Sequence, residues 1–297
     1  MENNKQRCLF VVNPISGDYD KDKIIQKIKE RFPEKEYHLT IYKTTGEGDS
    51  ENILSVFNTK KPEFIVIAGG DGTLNMVIKS LADRHIPIGI IPMGSANGMS
   101  VELNIPQDFE KSIDIIKRGN LRKIDLIRVN NKHLCVHLSD IGINARVIKR
   151  FSKEKKRGFI GYARQYFKEI FNSRPLKFSI ETEHNRIQKK AHMLVIANAK
   201  KYGTGAIINP LGKLNDGKFE LCLIKPYPFY AIFTLIFAFF TGLLHKIKYV
   251  TIISAEHATI KTPKKQDLQI DGEAIGKYNE IKIDILPGAV EIFVPVT

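Results

Sequence analysis

The 297-residue sequence has only three cysteines, Cys8, Cys135 and Cys222, and they are scattered. Without a Cys-x-x-Cys spacing there is neither a disulfide framework nor a cysteine zinc site to expect. No charged-then-apolar leader opens the chain, so a reducing cytoplasm is the expected compartment. Acidic residues are in deficit: 32 Asp and Glu stand against 46 Lys and Arg, a net charge of +14. That imbalance asks for an anionic partner, which charge alone leaves open between nucleic acid, a phospholipid surface and a nucleotide. Two glycine signatures are missing as well. The chain has no Gly-x-Gly-x-x-Gly and no Gly-x-x-x-x-Gly-Lys-Ser/Thr, which argues against a dinucleotide Rossmann site and a P-loop alike. The most apolar stretch, residues 229–244, falls short of the about 20 residues that a membrane span needs. No nucleic-acid module is evident and the aromatics gather on amphipathic stripes, so nucleic acid is not an expected partner.

What is present is a long alternation. With 43% hydrophobic residues the chain can fill one large core or two ordinary ones. Cys8 to Val12 reads as a buried strand stopped by Asn13-Pro14-Ile15-Ser16-Gly17, and Ile24, Ile25, Ile28 and Phe32 then recur on one helical face. Leu39 to Tyr42 makes a second strand, leading through Thr44 into a helix with Ile53, Leu54 and Phe57. Phe64 to Ala68 makes a third, cut short by Gly69-Gly70-Asp71-Gly72-Thr73-Leu74-Asn75 and followed by Leu74, Val77, Ile78 and Leu81 at helical spacing. Glycines in a strand-to-helix turn can take positive φ, admit an anion close to the backbone and aim it at a helix N-terminus. Asp71 beside such a site fits either a helix cap or phosphoryl transfer with a divalent cation. Ile86 to Ile91 gives a fourth strand, with a small-residue loop after it from Pro92 to Gly98. A helix with Phe109, Ile113 and Ile116 and a strand near Ile124-Asp125-Leu126 follow. In a parallel α/β sheet such loops collect at the carboxyl ends of the strands around one crevice.

From about Val129 the pattern changes. Short β-type runs dominate: 133–138, 177–182, 191–197, 219–224, 250–253, 258–261, 282–285 and 291–294, the signature of an antiparallel sandwich. Two helical segments interrupt them. Phe159 to Phe171 carries an aromatic stripe after a basic run from Lys149 to Arg157, a pairing that suits an anionic membrane or a core helix with a solvated loop before it. The segment 229–244 is apolar on nearly every side, which fits a core helix, an acyl entrance or an interfacial helix.

Gly69-Gly70-Asp71-Gly72-Thr73-Leu74-Asn75 resembles the signature shared by the diacylglycerol kinase catalytic domain, sphingosine and ceramide kinases, and NAD kinases. Asn13-Pro14-x-Ser16-Gly17, Pro92-x-Gly94-Ser95-x-Asn97 and Asp271-Gly272-Glu273 resemble three further elements of the lipid kinases, in the same order across nearly the whole chain. The resemblance implies an NAD-kinase-like two-domain fold: a doubly wound α/β nucleotide domain over 1–128, completed by 288–297, and an antiparallel β-sandwich lipid domain over 129–287, with the site between them. It implies an ATP- and Mg²⁺-dependent lipid kinase, with diacylglycerol as the expected acceptor. Its partners would be the lipid substrate, an anionic membrane surface met peripherally and, as an option, a second copy of the chain.

Carried over residue by residue, the resemblance makes Glu273 the general base, although Asp271-Gly272 by itself is a hairpin-turn signal. Asp71 becomes a carboxylate near the phosphates. Asp125 is placed with it on position, at the expected domain junction between Ile124 and Leu126, or else merely ends a strand. ATP contacts fall on Thr44, Gly69, Gly70, Asp71, Gly72, Thr73, Leu74, Asn75 and Ser95, with Gly94 and Asn97 in the same loop and Asn13 and Ser16 lining the crevice. Asp216 with the carbonyls of Lys213 and Lys218 becomes a magnesium site, an oxygen-only set suited to a hard cation. Ser95 and Gly98 stand where bacterial diacylglycerol kinases often have Thr and Asp, and His137 and Asn144 where Asn and Asp are common. The glycine-rich run after Asn198 is thinned to Gly203-Thr204-Gly205. The alternatives are a sphingoid- or ceramide-type kinase, an NAD-kinase-like soluble kinase, and a nonenzymatic nucleotide-binding membrane regulator.

Overall fold

In a computed structural model the chain is described over residues 5–16, 21–142, 174–201 and 207–296. The aromatic stripe of 159–171, the basic run before it, Asn144, Gly17 and the glycines at 203 and 205 lie outside the described residues. The chain divides into two compact units, Met1–Ile124 with Gly288–Thr297, and Asp125–Pro287. The first boundary falls a few residues ahead of the expected 128.

The first unit is built on strands β1 (Gln6–Val12), β2 (Tyr37–Lys43), β3 (Phe64–Gly69) and β4 (Pro87–Pro92), all paired in parallel. The last strand of the chain, β14 (Glu273–Phe293), reaches this sheet with its final residues, where Glu291 and Ile292 pair in parallel with Pro87 and Ile88. β1 and β3 read as unbroken apolar runs because helices cover both their faces. Helices α1 (Lys21–Arg31) and α5 (Phe109–Arg118) share one core with Cys8, Phe10, Val12, Val66 and Phe293. Helices α2 (Asp49–Lys60) and α3 (Asp71–Leu81) pack on each other, burying Ile53, Val77 and Ile78 completely. A one-turn-and-a-half helix, α4 (Gly98–Glu102), follows β4.

The second unit is antiparallel. Its strands are the later part of β5 (Leu121–Val129), then β6 (His133–Cys135), β7 (Leu138–Gly142), β8 (Leu176–Thr182), β9 (Arg186–Ala191), β10 (Met193–Ala197), β11 (Phe219–Ile224), β12 (Val250–Ala255), β13 (His257–Ile270) and most of β14. The order β12-β11-β10-β7-β13-β14 forms its main path, with β8 and β9 hung on β13. Phe178, Ile180, Leu194, Phe219, Leu221 and Ile270 fill its core. A helix, α6 (Ala231–Thr241), packs Leu235 and Ala238 onto a separate cluster with Val195, Cys222 and Ile224.

Four features depart from the sequence expectation. The run 133–138 is two strands, split by a bend at Val136 and His137. The run 191–197 breaks at His192, and β9 ahead of it was overlooked because Arg186, Lys189 and Lys190 give a solvent-facing hairpin arm no apolar signature. The three late runs are parts of two long strands whose exposed polar middles hide their continuity. Asp125 sits within β5 rather than at its end.

Candidate active site

The loops that follow β1, β3 and β4 are bonded to one another within the first unit. Asn13 donates through Nδ2 to Thr73 Oγ1 at 3.0 Å, while its Oδ1 accepts the Ile15 N–H. Thr44 is nearly buried and its N–H bonds to Val12 O at 2.9 Å. Asp71 opens α3, and its carboxylate accepts the N–H groups of Gly98 at 2.8 Å and Met99 at 3.2 Å, the first residues of α4. Asn97, in the left-handed region at φ 50°, folds its own loop by accepting from Gly94 N–H and donating to Gly94 O and Gln107. Asn13, Asp71 and Asn97 thus hold the loops in shape, and the exposed Ser95 stands at the loop tip.

None of Gly69, Gly70 and Gly72 has positive φ; Gly70 is extended at φ −96°, ψ −174°. The glycines serve close approach instead of unusual torsion. A Cβ on Gly94 would lie 2.6 Å from Gly70 Cα, and one on Gly69 would lie 2.8 Å from the Thr73 side chain. The two loops therefore meet backbone to backbone. Gly72 is different, since a Cβ there meets nothing within 4 Å.

The first intrahelical bond of α3 runs from Leu74 N–H to Gly70 O. The N–H groups of Asp71, Gly72 and Thr73 lie outside that ladder, at the positive end of the helix, where anions are favoured. Asn75, only 7% exposed, has a side-chain oxygen with no partner among the described residues. Donors at a helix start, an uncrowded Gly72 and an exposed Ser95 fit a nucleotide phosphate chain.

The second unit carries the other candidates. Asp271 and Gly272 form a two-residue hairpin between β13 and β14, with φ 50° and 87°, the geometry of a type I′ turn. The Asp271 carboxylate accepts the N–H groups of Val136 at 3.0 Å, His137 at 2.9 Å and Leu138 at 3.3 Å, which is why the chain bends there. Gln269, 1% exposed, accepts the Gly272 N–H at 2.8 Å and donates to Asp140 at 2.6 Å. Glu273 follows this pinned turn and is exposed. Gln269 and Asp140 are the residues that sequence reasoning missed behind this turn. Their signal was a polar residue inside an apolar strand, as in Leu268-Gln269-Ile270.

Asp125 is 2% exposed and accepts the Gly217 N–H at 2.8 Å, while its own N–H bonds to Leu214 O. It thereby fastens the turn that presents Asp216, Lys213 and Lys218, all exposed. Asp216 Oδ1 accepts the Lys218 N–H at 3.2 Å. Among the described residues no three His, Cys, Asp or Glu side chains gather as a metal cluster, so a cation on this turn would draw on backbone carbonyls as well. Nearby, Glu220 is buried against Asn209 and Ser254, and loss of solvent pushes its carboxyl above the usual range.

Comparison with known proteins finds two family matches in chain order. Residues 7–129 match the family described as the diacylglycerol kinase catalytic domain, and residues 138–294 match the YegS C-terminal NAD kinase beta sandwich-like domain. A Bacillus subtilis protein named diacylglycerol kinase is 24% identical over 273 residues, covering 90% of each chain. A Salmonella arizonae protein named "Probable lipid kinase YegS" is 27% identical, covering 85% of each. A crystal structure of a diacylglycerol kinase from Bacillus anthracis shares the fold with a TM-score of 0.74 at 19% identity, over 98% of both chains. The chain belongs to the diacylglycerol kinase family of lipid kinases, with that family's catalytic domain in front and its NAD-kinase-like β-sandwich domain behind.

Proposed function

We propose that this lipid kinase transfers the γ-phosphoryl group of ATP to the free hydroxyl of diacylglycerol. The observation that carries the nucleotide half is the mutual bonding of the three loops around the start of α3, where the N–H groups of Asp71, Gly72 and Thr73 are offered to an anion. For the acceptor half, Glu273 stands exposed after a turn fixed by Asp271 and Gln269, as a base positioned by its neighbours should. The hydroxyl proton passes to the Glu273 carboxylate as the hydroxyl oxygen bonds to the γ-phosphorus. The bond to the β,γ-bridging oxygen breaks, leaving ADP and phosphorylated lipid. Asp71 keeps the phosphate loops locked against α4. Asp216 with the Lys213 and Lys218 carbonyls would hold magnesium, which supplies positive charge to offset carboxylate and phosphate. The Bacillus subtilis relative's name and the match of the first domain to the diacylglycerol kinase catalytic domain support diacylglycerol over an NAD-type acceptor.

The test is label transfer from γ-labelled ATP with Mg²⁺ to diacylglycerol, monoacylglycerol, ceramide, sphingosine and NAD in mixed micelles. Diacylglycerol should be labelled, and Glu273→Gln should abolish turnover while ATP binding stays within about twofold. An active Glu273→Gln removes that residue from the role of base. In the same assay Asp216→Ala should raise the magnesium needed for half-maximal rate; an unchanged titration rejects the site. Label appearing in ceramide or sphingosine alone would move the acceptor to the sphingoid class.

A further inference from the structure

Helix α6 is apolar on two sides and only one of them is covered. Ala231, Ile232, Leu235 and Ala238 are buried against the second unit, and Leu244 beyond the helix end is fully buried. On the other side Tyr230 is 72% exposed, Phe233 70%, Phe237 63% and Phe240 58%. These four recur at i, i+3, i+7 and i+10, which places their rings in one stripe along the outer face. A stripe of uncovered aromatics on a folded unit marks a surface that something else covers.

The charge around the stripe says what that is. Between Glu220 and Glu256 the sequence has no acidic residue, and its charged side chains are Lys225, Lys246 and Lys248, with His245 beside them. His245, Lys246 and Lys248 are exposed directly after the helix, which ends at Gly242 in the left-handed region. Aromatic rings followed in the chain by exposed cations, in a stretch of sequence without acidic residues, match the boundary of an anionic phospholipid layer, where rings enter the acyl edge and lysines meet head-group phosphates. The helix spans about 16 Å from its eleven residues, too short to cross a membrane but sufficient to lie in its plane. A second copy of the chain is a poorer occupant. At this exposure the four rings offer roughly 500 Å², below the about 800 Å² per partner of a standard interface.

We infer that α6 is the membrane-docking element of this protein, lying flat on an anionic phospholipid surface with Phe233, Phe237 and Phe240 inserted and Lys246 and Lys248 on the head groups. This deepens the lipid-kinase reading, because a kinase acting on a bilayer lipid has to hold the surface its substrate occupies. Its test reads binding, so it stands or falls separately from turnover.

The whole chain is sedimented with vesicles of phosphatidylcholine alone and with added phosphatidylglycerol. The chain has no tryptophan, so Phe237→Trp gives a single-tryptophan reporter in the stripe. Its emission should move to shorter wavelength with phosphatidylglycerol vesicles. Phe233→Ser with Phe237→Ser and Phe240→Ser, all at exposed positions, should lower vesicle partitioning at least about tenfold. Lys246→Glu with Lys248→Glu should lower it about tenfold on anionic vesicles and leave phosphatidylcholine unaffected. Circular dichroism of each variant matching that of the wild type keeps the comparison to the surface. Unchanged partitioning of the triple serine variant, or an unmoved tryptophan emission, overturns the proposal. So does a fall in mass by light scattering at unchanged vesicle binding, which would make the stripe a contact between copies. Loss of vesicle binding in a chain that phosphorylates no lipid would sustain the docking role and remove the kinase reading alone.

Discussion

At Asp49, one buried carboxylate organises the end of the second strand. Burial, the largest influence, pushes its pKa upward, yet the N–H groups of Thr45 and Gly46 and the hydroxyls of Tyr42 and Thr45 together hold it below the ordinary range. A depressed carboxylate contributes stability that is present above its unfolded-state pKa and lost as pH falls through its folded one. Asp49→Asn should therefore cost about 1–3 kcal/mol at pH 7 and at pH 5. The gap from wild type should close below about pH 4, read by urea unfolding at pH 7, 5 and 3. The same gathering of backbone N–H groups by one carboxylate explains Asp271, whose role was only half legible. Asp-Gly announces a hairpin, but nothing in that dipeptide tells that its carboxylate collects three N–H groups more than 130 positions away.

Among the elements, the loops after β3 and β4 depend on two glycines facing each other. Gly94→Ala would drive a Cβ to 2.6 Å from Gly70 Cα and 2.8 Å from Asn97 Oδ1. Backbone cannot yield as a flexible side chain does, so the substitution should cost about 1–3 kcal/mol and weaken ATP binding at least about tenfold. Gly72→Ala has open space around it and should unfold at the wild-type temperature while still weakening ATP binding, since it covers the helix-start donors. Calorimetric unfolding and nucleotide titration of the two variants separate packing from recognition. Sequence reading found these glycines, but the positive φ it allowed them is absent, and Gly69 and Gly70 instead serve close packing against Thr73 and Gly94. The helices were more readable: Leu74, Val77, Ile78 and Leu81 lie on one face of α3 and are buried as their spacing requires.

For the molecule as a whole, the decisive feature is that the last ten residues belong with the first hundred. Ile292, Phe293 and Val294 are 0%, 8% and 5% exposed, and Ile292 pairs with Ile88. Burying three such side chains contributes roughly 5 kcal/mol, comparable with the whole stability of a domain. A chain ending at Pro287 should fail to fold its first unit, seen as rapid proteolysis of residues 1–124 and loss of ATP binding. The sequence by itself determined the two-part plan, the parallel strands with their helices, and the order of glycine and carboxylate motifs, because side-chain periodicity and turn chemistry act over a few neighbouring residues. Only the tertiary structure decided which polar groups support others. Asp71 was bound to α4, Asp125 to the Asp216 turn, Asp271 to the bend before β7, and the stripe of α6 was left uncovered. Those outcomes depend on backbone donors and apolar surface contributed by distant segments, and no local pattern records where distant segments come to rest.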